Sequence, residues 1–201
     1  SSDVCSSDLG SQKGLMTPPG LAFVTASAKA KAAHQEADMR TPYWDWTERD
    51  GTISYQMYCG TPPEHLLFGL RKALDMILAE GLENAWRRHA LLAEATRRAV
   101  ARWSQGQALS FNMERAAERS DSVTNVLVND GKAQLIINYA RDKCGVVLGV
   151  GLGDLAGKAI RIAHMGHASA PMVIGTLSAV EMALKALKIP HGEGEIGRAH
   201  V

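Results

Sequence analysis

The chain has 201 residues, of which 46% are hydrophobic, and its 22 Lys and Arg nearly balance its 21 Asp and Glu. This length supports one large domain or two small ones with a substantial apolar core. The near-neutral charge gives no general attraction to nucleic acids or anionic membranes, and no run reaches the roughly 18 apolar residues of a membrane-spanning helix. Three widely spaced Cys predict neither a disulfide framework nor a zinc site. We therefore expect a soluble, cytoplasmic protein with no nucleic-acid partner, no membrane partner and no metal.

The two ends of the chain differ in character from the rest. Residues 1–9 (SSDVCSSDL) and 195–201 (EIGRAHV) show no hydrophobic periodicity. The codons GAC GTG TGC TCT TCC GAT encode residues 3–8, and the reverse complement of that string encodes residues 196–201. We interpret both ends as translated sequencing-adapter DNA and leave them outside the predicted fold.

Up to residue 60 the pattern predicts a strand, a helix and a polar connection. The apolar run at 21–25 follows a Pro-Pro-Gly turn and predicts a buried strand. Residues 27–39 are Ala-rich and helical in character, with Ser27 suited to cap that helix. An aromatic cluster follows, which we expect to be buried, with a substrate channel or a subunit interface as the alternatives: Tyr43, Trp44 and Trp46.

Two long helices are predicted over residues 61–103. Leu and Ile recur at helical spacing between 66 and 78, and the two prolines at 62 and 63 suit a first helical turn. Gly81 interrupts the pattern, which then continues to residue 103. The second helix carries five Arg interleaved with acidic residues, which favours a solvated helix face over a nucleic-acid site: Arg87, Arg88, Arg97, Arg98 and Arg102.

Beyond Gly106 strands and helices alternate. The sequence predicts a strand, a helix, two short strands and a helix, at 122–129, 132–143, 146–148, 159–163 and 171–187. Gly145 follows the first of these helices as its C-terminal glycine. Together these segments predict a compact α/β sandwich after the long helices.

Lys13 lies in a short loop, Ser-Gln-Lys-Gly, between two glycines and beside an apolar strand. A lysine held in such a loop can be desolvated, and desolvation disfavours the ammonium form. The free amine can then attack a carbonyl and form an imine. A loop lysine can equally be an ordinary solvated side chain, so the spacing alone leaves both interpretations open.

Two histidines and two cysteines stand outside any metal or nucleophile motif. His164 and His167 are three residues apart with no Cys or acidic cluster beside them, which favours packing at a strand end over metal binding. Cys59 and Cys144 have no motif around them that would supply a base, so we expect them to be structural.

Four segments of the chain resemble, in order, the landmarks of a known enzyme family. They are GSQKGLMTPPGL from Gly10, MYCGTPP from Met57, EGLEN from Glu80, and GLG followed by GKAIRIAHMG between Gly151 and Gly166. These segments are similar to those of the class V aminotransferases that bind pyridoxal 5'-phosphate (PLP), particularly the serine–glyoxylate and alanine–glyoxylate group. Ala163 stands where the family usually has Gly.

That resemblance implies an α/β protein with the type I fold of PLP-dependent transferases. The chain would be a fragment of such an enzyme, its C-terminal half. Residues 10–78 would form the end of the large, cofactor-binding domain, and residues 79–194 the small C-terminal α/β domain.

The resemblance also implies roles for five residues. Lys13 forms the internal aldimine with PLP and then moves a proton between the substrate Cα and the cofactor. Arg161 binds the substrate carboxylate through two parallel hydrogen bonds. Tyr58 and Thr61 reach the cofactor phosphate from the neighbouring subunit of a homodimer, and Gln12 donates an amide hydrogen bond to the same phosphate. The structural alternatives are a strand arginine paired with an acid, a packed tyrosine ring and a helix-capping threonine.

The implied reaction is transamination with glyoxylate as amino acceptor and serine, alanine or aspartate as donor. The partners are then small amino acids, 2-oxo acids and a second copy of the chain. A class V lyase such as a cysteine desulfurase is the first alternative, although neither Cys59 nor Cys144 is placed like a reactive cysteine. A non-catalytic protein of the same fold is the second. Because the preceding half of such an enzyme holds further site residues, we expect the chain alone to be inactive.

Overall fold

A computed structural model of the chain describes residues 6–194. They divide into two compact units, one up to Ala79 and one from Glu80 onward. Residues 1–5 and 195–201 lie outside the described part, and with them most of the sequence interpreted as adapter. No helix within residues 6–194 is long and apolar enough to cross a membrane.

The first unit contains a two-stranded antiparallel sheet followed by helices. Its elements are β1 (Ser6–Gly10), β2 (Ala22–Ala26), α1 (Ala28–Gln35), α2 (Trp46–Arg49), α3 (Ser54–Met57) and α4 (Glu64–Glu80), whose last residue belongs to the second unit. Ser27 caps α1 as predicted, because its Oγ accepts a hydrogen bond of 3.1 Å from the N–H of Ala30. Helix α1 ends at Gln35, short of the predicted residue 39.

Strand β1 includes residues 6–9, which we expected to lie outside the fold as part of the adapter sequence. Residues 6–10 pair in register with residues 26–22 of β2. Backbone N–H and C=O groups form the ladder of a sheet, so pairing along an edge strand makes few demands on side chains. The structure therefore differs from the expectation at this strand, while the origin of the segment stays a prediction.

The second unit is a four-stranded antiparallel sheet with three helices. Its elements are α5 (Leu82–Trp103), β3 (Leu109–Phe111), β4 (Val123–Val128), α6 (Ala133–Cys144), β5 (Gly149–Val150), β6 (Ala159–Ala163) and α7 (Ala170–Ala186). The strands lie in the order β3, β4, β6, β5. The predicted bounds of α5 and β6 agree with the structure, and Gly145 ends α6 with a φ of 67°. Strand β5 begins at Gly149, just beyond the apolar run predicted as a strand.

One face of this sheet packs against helices and carries the hydrophobic core. Successive side chains of a strand point to opposite faces, so burial alternates along β4 and, in β6, from Ile160 to Ala163. Val126 and Ile160 pair across the two strands and are fully buried. Asn125 and Arg161 pair at the next position and therefore lie on the opposite face. Each of the three helices contributes buried side chains to the core: Val100, Trp103, Ile136, Leu177 and Leu184.

Two glycines bring the segment after α7 against the end of α5. A Cβ at position 106 would lie 2.3 Å from the backbone of His191, and one at position 192 would lie 2.2 Å from the carbonyl oxygen of Arg102. The N–H of Gly192 donates to the carbonyl of Trp103 at 3.3 Å. Such close backbone approach leaves no room for a side chain.

Replacing Gly106 by Ala should destabilise the protein, because the new methyl group would overlap the backbone of His191. We expect the free energy of unfolding to fall by about 1–3 kcal/mol, measured by urea unfolding followed by circular dichroism. Gly175→Ala is the matched control: it lies within α7 with no atom near the added Cβ, and should raise that free energy by roughly 0.5–1 kcal/mol. Equal stability of the Gly106→Ala variant and the wild type would contradict the packing described.

Candidate active site

Lys13 is presented by a loop whose backbone closes on itself. The N–H of Ser11 donates to the carbonyl of Leu21 at 3.1 Å, and the N–H of Thr17 donates back to the carbonyl of Ser11 at 3.2 Å. At the tip, the N–H of Met16 donates to the carbonyl of Lys13 at 2.9 Å. Ser11 is 1% exposed, so the base of the loop is buried while the side chain of Lys13 is exposed. The desolvation expected from the sequence is therefore not seen for Lys13 within its own unit.

The Lys13 loop contacts the start of α4. Gly20, which ends the Pro-Pro-Gly turn, has a φ of 137° and lies so close to Leu66 that a Cβ would come within 2.6 Å of its Cδ1. Position 20 therefore favours glycine for its backbone conformation, whereas a small shift of the flexible Leu66 side chain would relieve the contact. Thr61 lies just ahead of α4, so this contact joins the loop to the segment that carries Thr61.

Gln12, Tyr58 and Thr61 all have exposed side chains in the first unit. Tyr58 ends α3 and is 42% exposed. The two residues between Tyr58 and Thr61 have positive φ, 56° for Cys59 and 137° for Gly60, and this sharp turn separates α3 from α4. Neither the packed ring nor the helix-capping hydroxyl considered as structural alternatives is found here, since α4 begins at Glu64.

Arg161 lies in the middle of β6, between Asn125 of β4 and Gly149 of β5. Its Nε donates to the carbonyl of Val150 at 2.7 Å. Within the described residues no carboxylate lies within 4.0 Å of its guanidinium, so the structural alternative of a local ion pair is not found there. Gly149 makes room for the side chain, because a Cβ at that position would lie 3.0 Å from the Cβ of Arg161.

The structure places these residues in different units. Gln12, Lys13, Tyr58 and Thr61 belong to the first unit, and Arg161 belongs to the second.

The aromatic cluster is not buried as expected. Tyr43 is 65% exposed and Trp44 is 74% exposed, and their rings meet edge to face with centroids 4.9 Å apart. Trp46 is half-buried and lies 5.2 Å from the ring of His34. A cleft of about 680 Å³ lies beside these two rings, between β2, α1 and α2. The expectation of burial is therefore wrong for the first two rings, because no other described part of the first unit packs over them.

Arg88 is a structural residue of the second unit, although the sequence predicts it to lie on a solvated helix face. Its Nε and Nη2 donate to both carboxylate oxygens of Glu80, at 2.7 and 2.8 Å. Its Nη1 donates to the carbonyls of Gly166 and Ala168, at 2.8 and 3.0 Å. The hydrogen bonds from Arg88 hold the pKa of Glu80 below its ordinary value. Arg88 thus fixes the loop that follows β6, and no local pattern could show this because Gly166 and Ala168 lie 78 and 80 residues further along the chain.

His164 directly follows β6, is fully buried and packs against its neighbours, as expected. Its Nδ1 lies 3.0 Å from the carbonyl of Asp121, and its Nε2 lies 2.9 Å from the Oγ1 of Thr124. Burial lowers the pKa of its imidazole, because the charged ring loses solvation there. The neutral ring fits both contacts: Nδ1–H donates to the carbonyl, and Nε2 accepts from the hydroxyl. His167 is exposed, and residues 6–194 contain no cluster of three His, Cys, Asp or Glu that could hold a metal.

Comparison with known proteins gives the family. The family model Aminotransferase class-V matches residues 4–180. The chain is 39% identical to the serine–glyoxylate aminotransferase of Methylorubrum extorquens, in an alignment that covers 92% of this chain and 47% of that protein. It is 37% identical to the L-aspartate–glyoxylate aminotransferase of Paracoccus denitrificans, over 90% of this chain and 45% of that protein.

The fold agrees with this assignment. The crystal structure of pyridoxamine–pyruvate aminotransferase from Mesorhizobium loti matches 97% of this chain and 49% of that one, with a TM-score of 0.81 and 30% identity. The chain belongs to the class V aminotransferase family, and it spans about half the length of the curated relatives it matches. The resemblance inferred from the four landmarks, and the α/β fold that it implied, are thereby confirmed.

The free energy of unfolding should decrease as the pH falls from about 7 to about 5, because His164 resists protonation when folded, whereas the unfolded chain takes up a proton near pH ~6.5. The unfolded state then binds more protons, so acid favours it. The measurement is urea unfolding across that pH range. His164→Gln should flatten the dependence, whereas His167→Gln, at an exposed position of the same segment, should leave it unchanged. An identical pH slope in His164→Gln and the wild type would count against this assignment.

Proposed function

We propose that this chain is the C-terminal part of a PLP-dependent aminotransferase that uses glyoxylate as amino acceptor and serine, alanine or aspartate as donor. The names of the relatives support this reaction, since two of them are serine–glyoxylate and L-aspartate–glyoxylate aminotransferases. The observation that carries the proposal is the closed loop that presents Lys13, in a chain 39% identical to the first of these enzymes. Activity requires the remaining part of the full-length protein.

The exposed donors of the first unit fit the proposed cofactor. Lys13 offers a primary amine with no carboxylate within 4.0 Å among the described residues, and hydroxyl and amide groups suit a phosphate dianion. When bound, PLP supplies an aldehyde for the amino group and a ring that accepts the electron pair left at the substrate Cα. In the proposal, Gln12, Tyr58 and Thr61 hold the phosphate, the last two across the interface of a homodimer.

Lys13 carries the proton transfer in this proposal. Its amine, once unprotonated, takes the proton from the substrate Cα and then gives it to the cofactor. This is general acid–base catalysis by one group. The hydrogen bonds that close the loop hold the Lys13 backbone, so less conformational freedom is lost when the side chain reaches the substrate.

Arg161 holds the substrate carboxylate. A planar guanidinium binds a carboxylate through two parallel N–H donors, which fixes the orientation of the Cα–H bond. The absence of a carboxylate within 4.0 Å of Arg161, among the described residues, supports this role because its terminal nitrogens are not engaged by an ion pair.

We assign residues 10–78 to the large domain and 79–194 to the small domain. A cytoplasmic location accords with the free thiols of Cys59 and Cys144.

Borohydride treatment of the full-length enzyme saturated with PLP should leave a pyridoxyl group on the Nζ of Lys13, detected by mass spectrometry of the digested protein. Lys13→Ala should lose this adduct and reduce turnover by roughly 10²–10⁴-fold, the range for a general acid–base residue. Lys29→Ala, an exposed lysine of α1, is the control and should retain both. An adduct on another lysine, or none, would remove the basis of the proposal.

Arg161→Ala in the same enzyme should weaken binding of both the amino donor and glyoxylate, by about 1.5–3 kcal/mol, as expected for a charged hydrogen bond. Steady-state kinetics gives the KM values, and titration of the cofactor absorbance should show unchanged PLP affinity. Arg141→Ala is the matched control, since Arg141 is exposed on α6 and pairs with Asp142. Loss of PLP binding with normal substrate affinity would show that Arg161 has a different role.

A further inference from the structure

Asn125 carries a buried polar atom that has no partner in the described structure. Its Oδ1 is shielded from solvent and accepts no hydrogen bond. A buried acceptor left unpaired is costly, so such an atom calls for a donor.

The strand register brings Asn125 beside Arg161. The two residues are directly opposite on β4 and β6, and directly opposed residues of antiparallel strands lie on the same face with Cβ atoms roughly 4.5–5.5 Å apart. On its other side Arg161 faces Gly149 of β5, and its Nε donates to the Val150 carbonyl. Arg161 is therefore flanked by a carbonyl acceptor on the β5 side and by the unpaired Oδ1 on the β4 side.

Arg119, which lines the same small cleft as Asn125, is already engaged. Arg119 lies 3.7 Å over the ring of Phe111 and donates to the carbonyls of Met113 and Glu114, each at 3.0 Å. The terminal nitrogens of Arg161, by contrast, have no hydrogen-bond partner among the described residues. Arg161 is thus a charged donor, directly opposite Asn125 in the strand register, whose terminal nitrogens are unengaged there.

We propose that Asn125 is a positioning residue for Arg161: its Oδ1 accepts a hydrogen bond from the guanidinium when Arg161 leaves the Val150 carbonyl to bind a substrate carboxylate. This inference rests on the proposed role of Arg161. Asn125 then touches no reacting atom. It holds the guanidinium plane in the orientation that a carboxylate needs, and it gains a partner for its own buried oxygen.

The competing explanation is a water molecule. Asn125 lines a small cleft of about 150 Å³ together with Thr124 and Phe111, and a bound water there would also satisfy Oδ1. In that case the acceptor serves local structure only, and its removal would not act selectively on carboxylate binding.

The test compares Asn125→Val with Asn125→Thr in the full-length enzyme. Val and Thr have nearly the same shape and both suit a strand, but only Thr offers an oxygen acceptor. We expect Asn125→Val to raise the KM for amino donor and glyoxylate about tenfold relative to Asn125→Thr, the equivalent of one hydrogen bond, with kcat changed less and PLP affinity unchanged. Should Asn125→Val fail to fold, Asn125→Ala and Asn125→Ser give the same contrast.

A direct binding measurement separates this inference from the proposed reaction. Calorimetric titration of the wild type and both variants with 3-hydroxypropanoate, a carboxylate that cannot react, needs no turnover. Weaker binding by Asn125→Val than by Asn125→Thr supports the inference even if the wild type transaminates none of the proposed donors, a result that would defeat the proposed function alone. Equal affinities and equal KM values in the two variants would overturn it.

Discussion

The strand register that buries Val126 and Ile160 is the constraint on which the surroundings of Arg161 depend. Val126 and Ile160 are fixed on the helix side by complete burial, and a strand cannot shift by one residue without exchanging its two faces. The packing of the core therefore determines that Asn125 and Arg161 lie together on the other face. Gly149 completes this row, because a side chain there would press on Arg161.

The Lys13 loop of the first unit depends on backbone hydrogen bonds instead. The loop around Lys13 has a buried base and an exposed tip, and its closure relies on the carbonyl of Ser11 and the N–H groups of Ser11 and Thr17. Gly20 then allows the following turn to lie directly against Leu66. A lysine in this setting has a fixed backbone and an exposed side chain, a combination that suits a group which must form and break bonds with a ligand.

The sequence predicted the fold well where local chemistry decides it. Ser27 was identified as a helix cap, Gly81 as the break between two helices and Gly145 as a helix end, because each reflects a preference of one residue type for one backbone conformation. Exposure was harder. Tyr43 and Trp44 were expected to be buried and are exposed, since burial depends on which distant segment covers a side chain.

The candidate site residues show the same difference between what local sequence predicts and what distant segments decide. The four landmark segments, read from the sequence alone, were enough to identify the family, and the roles of Lys13 and Arg161 stay proposals. Only the tertiary structure decided which residues surround Arg161 and Arg88. Asn125 and Gly149 lie beside Arg161, and Glu80 and the loop at Gly166 bind Arg88. The physical reason is that these neighbours come from strand register and from helix packing, which join residues far apart in the chain.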